Sequence, residues 1–253
     1  MIPNLIRKVL STMAAHQVRA LLMGGQACVL YGAAQFSKDI DFTISAEPAN
    51  WERWMRALQE LQAESVAVPP CDPKFLPRGF ALHFRCRHPE ARGLRVDVMS
   101  VIRGVDSFDQ LWDRRVTIKD DDGTVIELLS LPDLVFAKKT QRGKDWPMIE
   151  RLVEADYLMG RAAPNPAQLR FWLLELRTPA LLAEMAANHP DLCARLAADR
   201  PLLALAAAGK MDEMRAALSE EQQREGEKDR LYWLPIKQEL EKLRHQKQAN
   251  GDE

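Results

Sequence analysis

The chain has 253 residues, 47% of them hydrophobic and 28% charged, with a formal net charge of -1. That balance excludes a disordered chain, and near-neutrality excludes a nucleic-acid binder that works by bulk positive charge. No apolar run reaches roughly 18 residues, and the cysteines at 28, 71, 86 and 193 have no CxxC spacing, so neither a membrane partner nor a disulfide framework is expected. A cytoplasmic protein is the expectation.

From the N-terminus, Leu5, Val9, Met13 and Ala14 recur near helical spacing, and Arg7, Lys8 and His16 interrupt what would otherwise resemble a secretory signal. An amphipathic helix over residues 5–18 is predicted. The short apolar run Ala20 to Met23 meets Gly24 and Gly25, which predicts a buried strand ending in a tight turn. A short helix over 26–31 follows. Residues 39–45, DIDFTIS, alternate strictly: Asp39, Asp41 and Thr43 fall on one face, and Ile40, Phe42 and Ile44 on the other. The next elements are a helix over 51–64, a proline-rich loop, and two strands, 80–87 and 94–101, joined by HPEARG. Arg85, Arg87, Arg92 and Arg95 crowd this connection and could form a local basic patch. A second hairpin is predicted around DDDG at 120–123.

Beyond Leu131 the strand signals fade. Prolines at 132, 147, 164, 166, 179, 190 and 201 stand where helices would begin, as suits a residue without an N–H in a first turn. The charged segment 220–249 is read as a solvated helix pair interrupted at Pro235. An apolar stripe at 202–209 offers a surface for a partner. The fold expected is α+β: a small mixed sheet with flanking helices over residues 1–155, followed by a helical C-terminal domain over 156–253.

Two carboxylates side by side on one strand repel each other unless a cation sits between them, and hard cations such as Mg2+ take oxygen ligands together with substrate phosphates. Gly24 and Gly25 would let backbone N–H groups approach a phosphate closely. In LRVDVMS, residues 94–100, Arg95, Asp97 and Met99 share one face, and Asp97 is a carboxylate within an apolar strand that needs compensation. By the same alternation His83 and Cys86 point to opposite faces, which argues against a zinc site in HFRCRH. His83 and Arg85 could instead border the cleft.

The succession of an apolar residue, Gly-Gly, a spacer and Asp-Ile-Asp-Phe, with Asp97 on a later strand, resembles the nucleotidyltransferase superfamily with the polymerase-beta-type fold. Residues 129–152, LSLPDLVFAKKTQRGKDWPMIERL, are similar to the segment that follows the core in bacterial toxin-type and antibiotic-modifying-type members. The resemblance covers residues 18–155, and it implies a Mg2+-dependent enzyme that moves a nucleoside monophosphate from an NTP to an acceptor and releases pyrophosphate. It implies two metal ions held by Asp39, Asp41 and Asp97, with Asp97 also helping to deprotonate the acceptor. Nucleotide contacts fall on Gly24, Gly25, Gln26 and Lys138, with Lys144 and Asp145 as further matched positions. Gln26 stands where many members have serine, and Gln35 where related sequences often carry arginine. The acceptor is left open among an RNA 3' end such as that of tRNA, a small hydroxylated compound and a protein side chain. A toxin-type member would also have an antitoxin partner. The alternative is a catalytically degenerate module that binds nucleotide or a partner on the same fold.

Overall fold

A single mixed sheet organises the first half of the sequence. In the computed structural model, which describes residues 2–120 and 122–249, the chain opens with α1 (Asn4–Ala15), β1 (Ala20–Met23), α2 (Gly24–Leu30) and β2 (Asp39–Ile44). It continues through α3 (Pro48–Glu60), β3 (Glu64–Ser65), β4 (Leu82–Arg85), β5 (Arg95–Met99), α4 (Phe108–Asp113), β6 (Val116–Lys119), β7 (Val125–Leu128) and α5 (Leu131–Ala137). The strands lie in the order β3-β4-β5-β2-β1-β7-β6. Pairs β2/β5 and β1/β7 are parallel, and the other neighbours are antiparallel. The α+β expectation therefore holds, with seven strands in the sheet. Asp121, at the tip of the hairpin expected around DDDG, lies outside the described residues; β6 and β7 on either side of it do pair.

Alternation drives the packing. Ile40, Phe42, Leu82, Phe84, Val96 and Val98 are buried on one face of the sheet. Trp54 of α3, fully buried, sits edge-on to both Phe42 and Phe84, with ring centroids 5.8 and 6.4 Å away. Burying a side chain of this size relative to leaving it exposed is worth about 2–3 kcal/mol, enough to seat α3. At the far end of the sheet, Arg114 donates to both oxygens of buried Asp133 at 2.8 and 2.7 Å, and Ser130 donates to the same carboxylate. These bonds fix the first turn of α5.

Two compact units result. The first comprises residues 1–30, 34–137 and 231–253; the second comprises 31–33 and 138–230. Residue 155, where the resemblance ends and the boundary is expected, lies inside a helix, α6 (Trp146–Gly160). The second unit is wholly helical: α6, α7 (Pro166–Glu175), α8 (Pro179–Asn188), α9 (Pro190–Leu196), α10 (Leu203–Ala207) and the start of α11 (Met211–Ala249). Pro166, Pro179 and Pro190 each occupy a first turn, as predicted. Tyr157 and Trp172 stack edge to face at 5.2 Å in the core of this unit. Buried Arg200 holds Glu221 with two bonds of 3.0 Å and caps the Leu173 carbonyl at 2.9 Å.

Two expectations for the helical half are corrected. The segment around Pro235 is not a pair of helices but one helix of 39 residues. Proline removes a single intrahelical bond at a cost of about 3 kcal/mol, and the remaining turns together with buried Ile236 outweigh it. The stripe at 202–209 is also only partly open, with Ala204, Ala207 and Ala208 exposed. Leu202, Leu203 and Ala206 are buried inside the second unit.

Candidate active site

The polar face of the first unit is built by register. Arg85, Arg95 and Asp39 are successive pairing partners across β4, β5 and β2, and the next such row runs His83, Asp97, Asp41, Met23. Directly opposed residues point to the same side of a sheet, about 5 Å apart. Three aspartates, two arginines and a histidine thus share one small area. Asp39, Asp41 and Asp97 are all half-buried. The polar strip ends there, because Thr43, expected to continue it, is fully buried with no partner for its hydroxyl.

Gly24 turns the chain from β1 into α2 with φ of +65°. A Cβ on Gly24 would lie 1.9 Å from Oδ2 of Asp41, and one on Gly25 would lie 2.4 Å from the Ser37 hydroxyl. Both glycines are thus required by neighbours within the chain itself. Helix α2 begins at Gly24, two residues earlier than predicted, and has only seven residues. Its end carries a correspondingly small dipole.

Gln26, expected among the nucleotide contacts, is buried, and its amide nitrogen donates to the Ser37 carbonyl at 2.8 Å. The Ser37 hydroxyl in turn donates to the Asp39 carbonyl at 3.1 Å. Gln26 therefore sets the entry of β2, which carries two of the three aspartates. Lys138 lies in the second unit, where it is buried with its ammonium 3.6 Å from Asp145. Asp145 also accepts from the Thr140 hydroxyl at 2.6 Å and from Arg142 at 2.8 Å. Lys144 is exposed.

Asp97 is held by two neighbours on its own face, Arg95 and His83. Its Oδ1 accepts from Arg95 Nε at 2.7 Å and lies 2.9 Å from His83 Nδ1. The second guanidinium nitrogen of Arg95 lies 3.0 Å from that same Nδ1. A ring nitrogen cannot donate to the carboxylate and accept from the guanidinium at once; carrying a proton, Nδ1 serves Asp97. Burial pushes the Asp97 carboxyl upward, but the bonds from His83 and Arg95, with their charges, outweigh it and hold the group below the usual carboxylate range. Asp97 is therefore ionised at neutral pH and weakly basic, which suits a ligand better than a proton acceptor.

Sequence reasoning missed the Arg95–Asp97 pair. The signal was present, since residues two apart on a strand share a face. The expected basic patch is also partly spent: Arg95 on Asp97, Arg87 on Glu64 at 2.9 Å, and Arg85 on the Gly93 carbonyl at 3.4 Å.

Among the described residues no three His, Cys, Asp or Glu side chains are gathered into a cage for a metal ion. In kind, the donor set fits a hard divalent cation: three carboxylates at adjacent register positions, with Gly24 leaving the space that Asp41 Oδ2 occupies. In detail, the third ligand has one oxygen committed to Arg95 and His83. No helix among the described residues is long and apolar enough to cross a membrane, and none of the four cysteines is in a disulfide. Compared with known proteins, the chain matches no family model and no curated sequence.

Proposed function

We propose that the chain is a nucleotidyltransferase dependent on a divalent cation, transferring a nucleoside monophosphate from an NTP to an acceptor hydroxyl. One observation carries this reading: Asp41 and Asp97 are pairing partners on adjacent parallel strands, and Asp39 stands on the same face of β2. Asp39, Asp41 and Asp97 would hold Mg2+, which supplies charge neutralisation at the triphosphate and acidifies an attacking hydroxyl. In the transfer, the acceptor oxygen bonds to the α-phosphorus, the bond to the bridging oxygen of the β-phosphate breaks, and pyrophosphate departs with that electron pair. The acceptor proton goes to solvent or to a carboxylate. The chain's own part is positioning. Gln26 and Ser37 fix the start of β2, Gly24 leaves space for Asp41, and the parallel β2/β5 pairing sets Asp97 beside it.

A second reading has an observation of its own. With Oδ1 of Asp97 bonded to Arg95 and His83, the face suits a module that binds a partner or nucleotide without turnover. The acceptor stays open among RNA, a small hydroxylated compound and a protein.

The two readings separate in one experiment. The protein is incubated with each α-labelled NTP, Mg2+, and total cellular RNA, protein or small-molecule extract, and the pool that acquires label is identified. Transfer is expected from wild type and should fall at least about 100-fold in Asp41→Asn and Asp97→Asn, which lose charge stabilisation but keep side-chain shape. Label incorporation that is unchanged in both variants would refute the assignment of these residues. NTP binding without transfer to any pool would favour the module.

A further inference from the structure

Arg95 faces all three aspartates at once. It is the pairing partner of Asp39, it donates to Asp97 Oδ1 at 2.7 Å, and it shares the face that Asp41 occupies in the next row. The hydrogen bond to Asp97 raises its pKa, partial burial opposes that, and the charges of Asp97, Asp39 and Asp41 add to the rise. A guanidinium does not lose its proton at any working pH, so it can leave a carboxylate only by moving. It has room to do so, since 39% of its side chain is exposed, whereas Asp97 is 18% exposed.

We propose that Arg95 is a built-in counter-cation of the carboxylate face, offsetting part of the aspartates' charge before a divalent cation binds and releasing Asp97 Oδ1 when one does. The idea rests on the reading of Asp39, Asp41 and Asp97 as metal ligands. It explains how three carboxylates are held on one face with one of them bonded to a guanidinium, and it makes cation affinity the outcome of an exchange. An ion bound at Asp97 Oδ1 costs the single Arg95–Asp97 bond, and His83 is left as the remaining donor at that oxygen. Arg95 is thus a residue that tunes loading of the site rather than one that touches the reacting atoms.

The test is direct titration of the full chain with MnCl2 by calorimetry, with Asp41→Asn to identify the site. If Arg95 competes with the ion, Arg95→Gln binds Mn2+ about five- to tenfold more tightly than wild type, within the range of ordinary coupling between two ligands. Its melting temperature without metal should fall, and Mn2+ should raise it by more than it raises that of wild type. Equal affinity in wild type and Arg95→Gln would overturn the exchange while leaving the metal reading intact. Weaker binding in Arg95→Gln would also overturn it, by showing that Arg95 holds Asp97 ready for the ion. Absence of Mn2+ binding in both proteins would remove the metal reading and the exchange with it. Should Arg95→Gln fail to fold, Arg95→Lys keeps the charge but lacks the guanidinium fork, and tighter Mn2+ binding than wild type is the expected result. Equal or weaker binding there would overturn the exchange as well.

Discussion

Replacing Gly24 by alanine tests whether that glycine is there for the sake of Asp41. At φ of +65° an L-residue incurs roughly 1–2 kcal/mol of backbone strain. The added Cβ would also lie 1.9 Å from Asp41 Oδ2 and 2.6 Å from its Cγ, so the carboxylate must swing out of its rotamer at a further ~0.5–1.5 kcal/mol. Gly24→Ala should therefore lose at least about 1.5–3.5 kcal/mol in urea denaturation, seen as a lower midpoint at unchanged slope, since swinging the carboxylate does not relieve the contact with the Asp41 Cβ. Gly93 provides the control, because its φ is +82° and nothing lies within 4 Å of a built Cβ. Gly93→Ala should lose only the backbone component. The double variant Gly24→Ala/Asp41→Ala removes the two closest contacts and leaves the Asp41 Cβ at 2.8 Å, so it should recover about 0.5–1 kcal/mol relative to additivity. Equal losses in Gly24→Ala and Gly93→Ala, with additive behaviour in the double variant, would refute the coupling.

Two further expectations concern titration. Hydrogen bonds from Lys8 and then His16 lower the Glu60 carboxyl from 4.5 to about 2, so its contribution is complete above the unfolded value and is lost as pH falls from 4.5 toward 2. Glu60 is 41% exposed, so the difference between wild type and Glu60→Gln should be at most about 1 kcal/mol at pH 6 and should shrink across that window; a difference that grows on acidification would contradict it. Burial pushes the Cys86 thiol up to about 11, and Cys71 is the one cysteine that is not buried. Brief alkylation of the native protein followed by peptide mass spectrometry should label Cys71 first, and prompt labelling of Cys86 would contradict the packing around it.

The alternation in DIDF placed Asp39 and Asp41 on one face and the apolar residues of β2 in the core, and both statements describe the folded chain. A period of two is a local property, and local properties are legible. The pairing of Asp41 with Asp97 is not local, and nothing in either strand's own sequence sets it. The same holds for Gly24: its neighbour Asp41 belongs to another strand, so a reading of the glycines alone turned to phosphate. The structural role of Gln26 is not legible for a similar reason, since its partner Ser37 comes after a loop whose path the sequence does not state. Pro235 shows the opposite error, where a correct local penalty was outweighed by the length of helix on either side.

The parallel pairing of β2 with β5 has a kinetic consequence. Asp39 and Asp41 leave the ribosome early, together with both glycines, but the strand that completes their face is made only after α3, β3 and β4, and the parallel neighbour of β1 only later still, at β7. Contacts between such distant segments form slowly, because the intervening chain must first be closed into a loop. During synthesis the acidic strand therefore exists for a time without Arg95, and whatever the finished face does, a nascent chain shorter than residue 99 cannot do it.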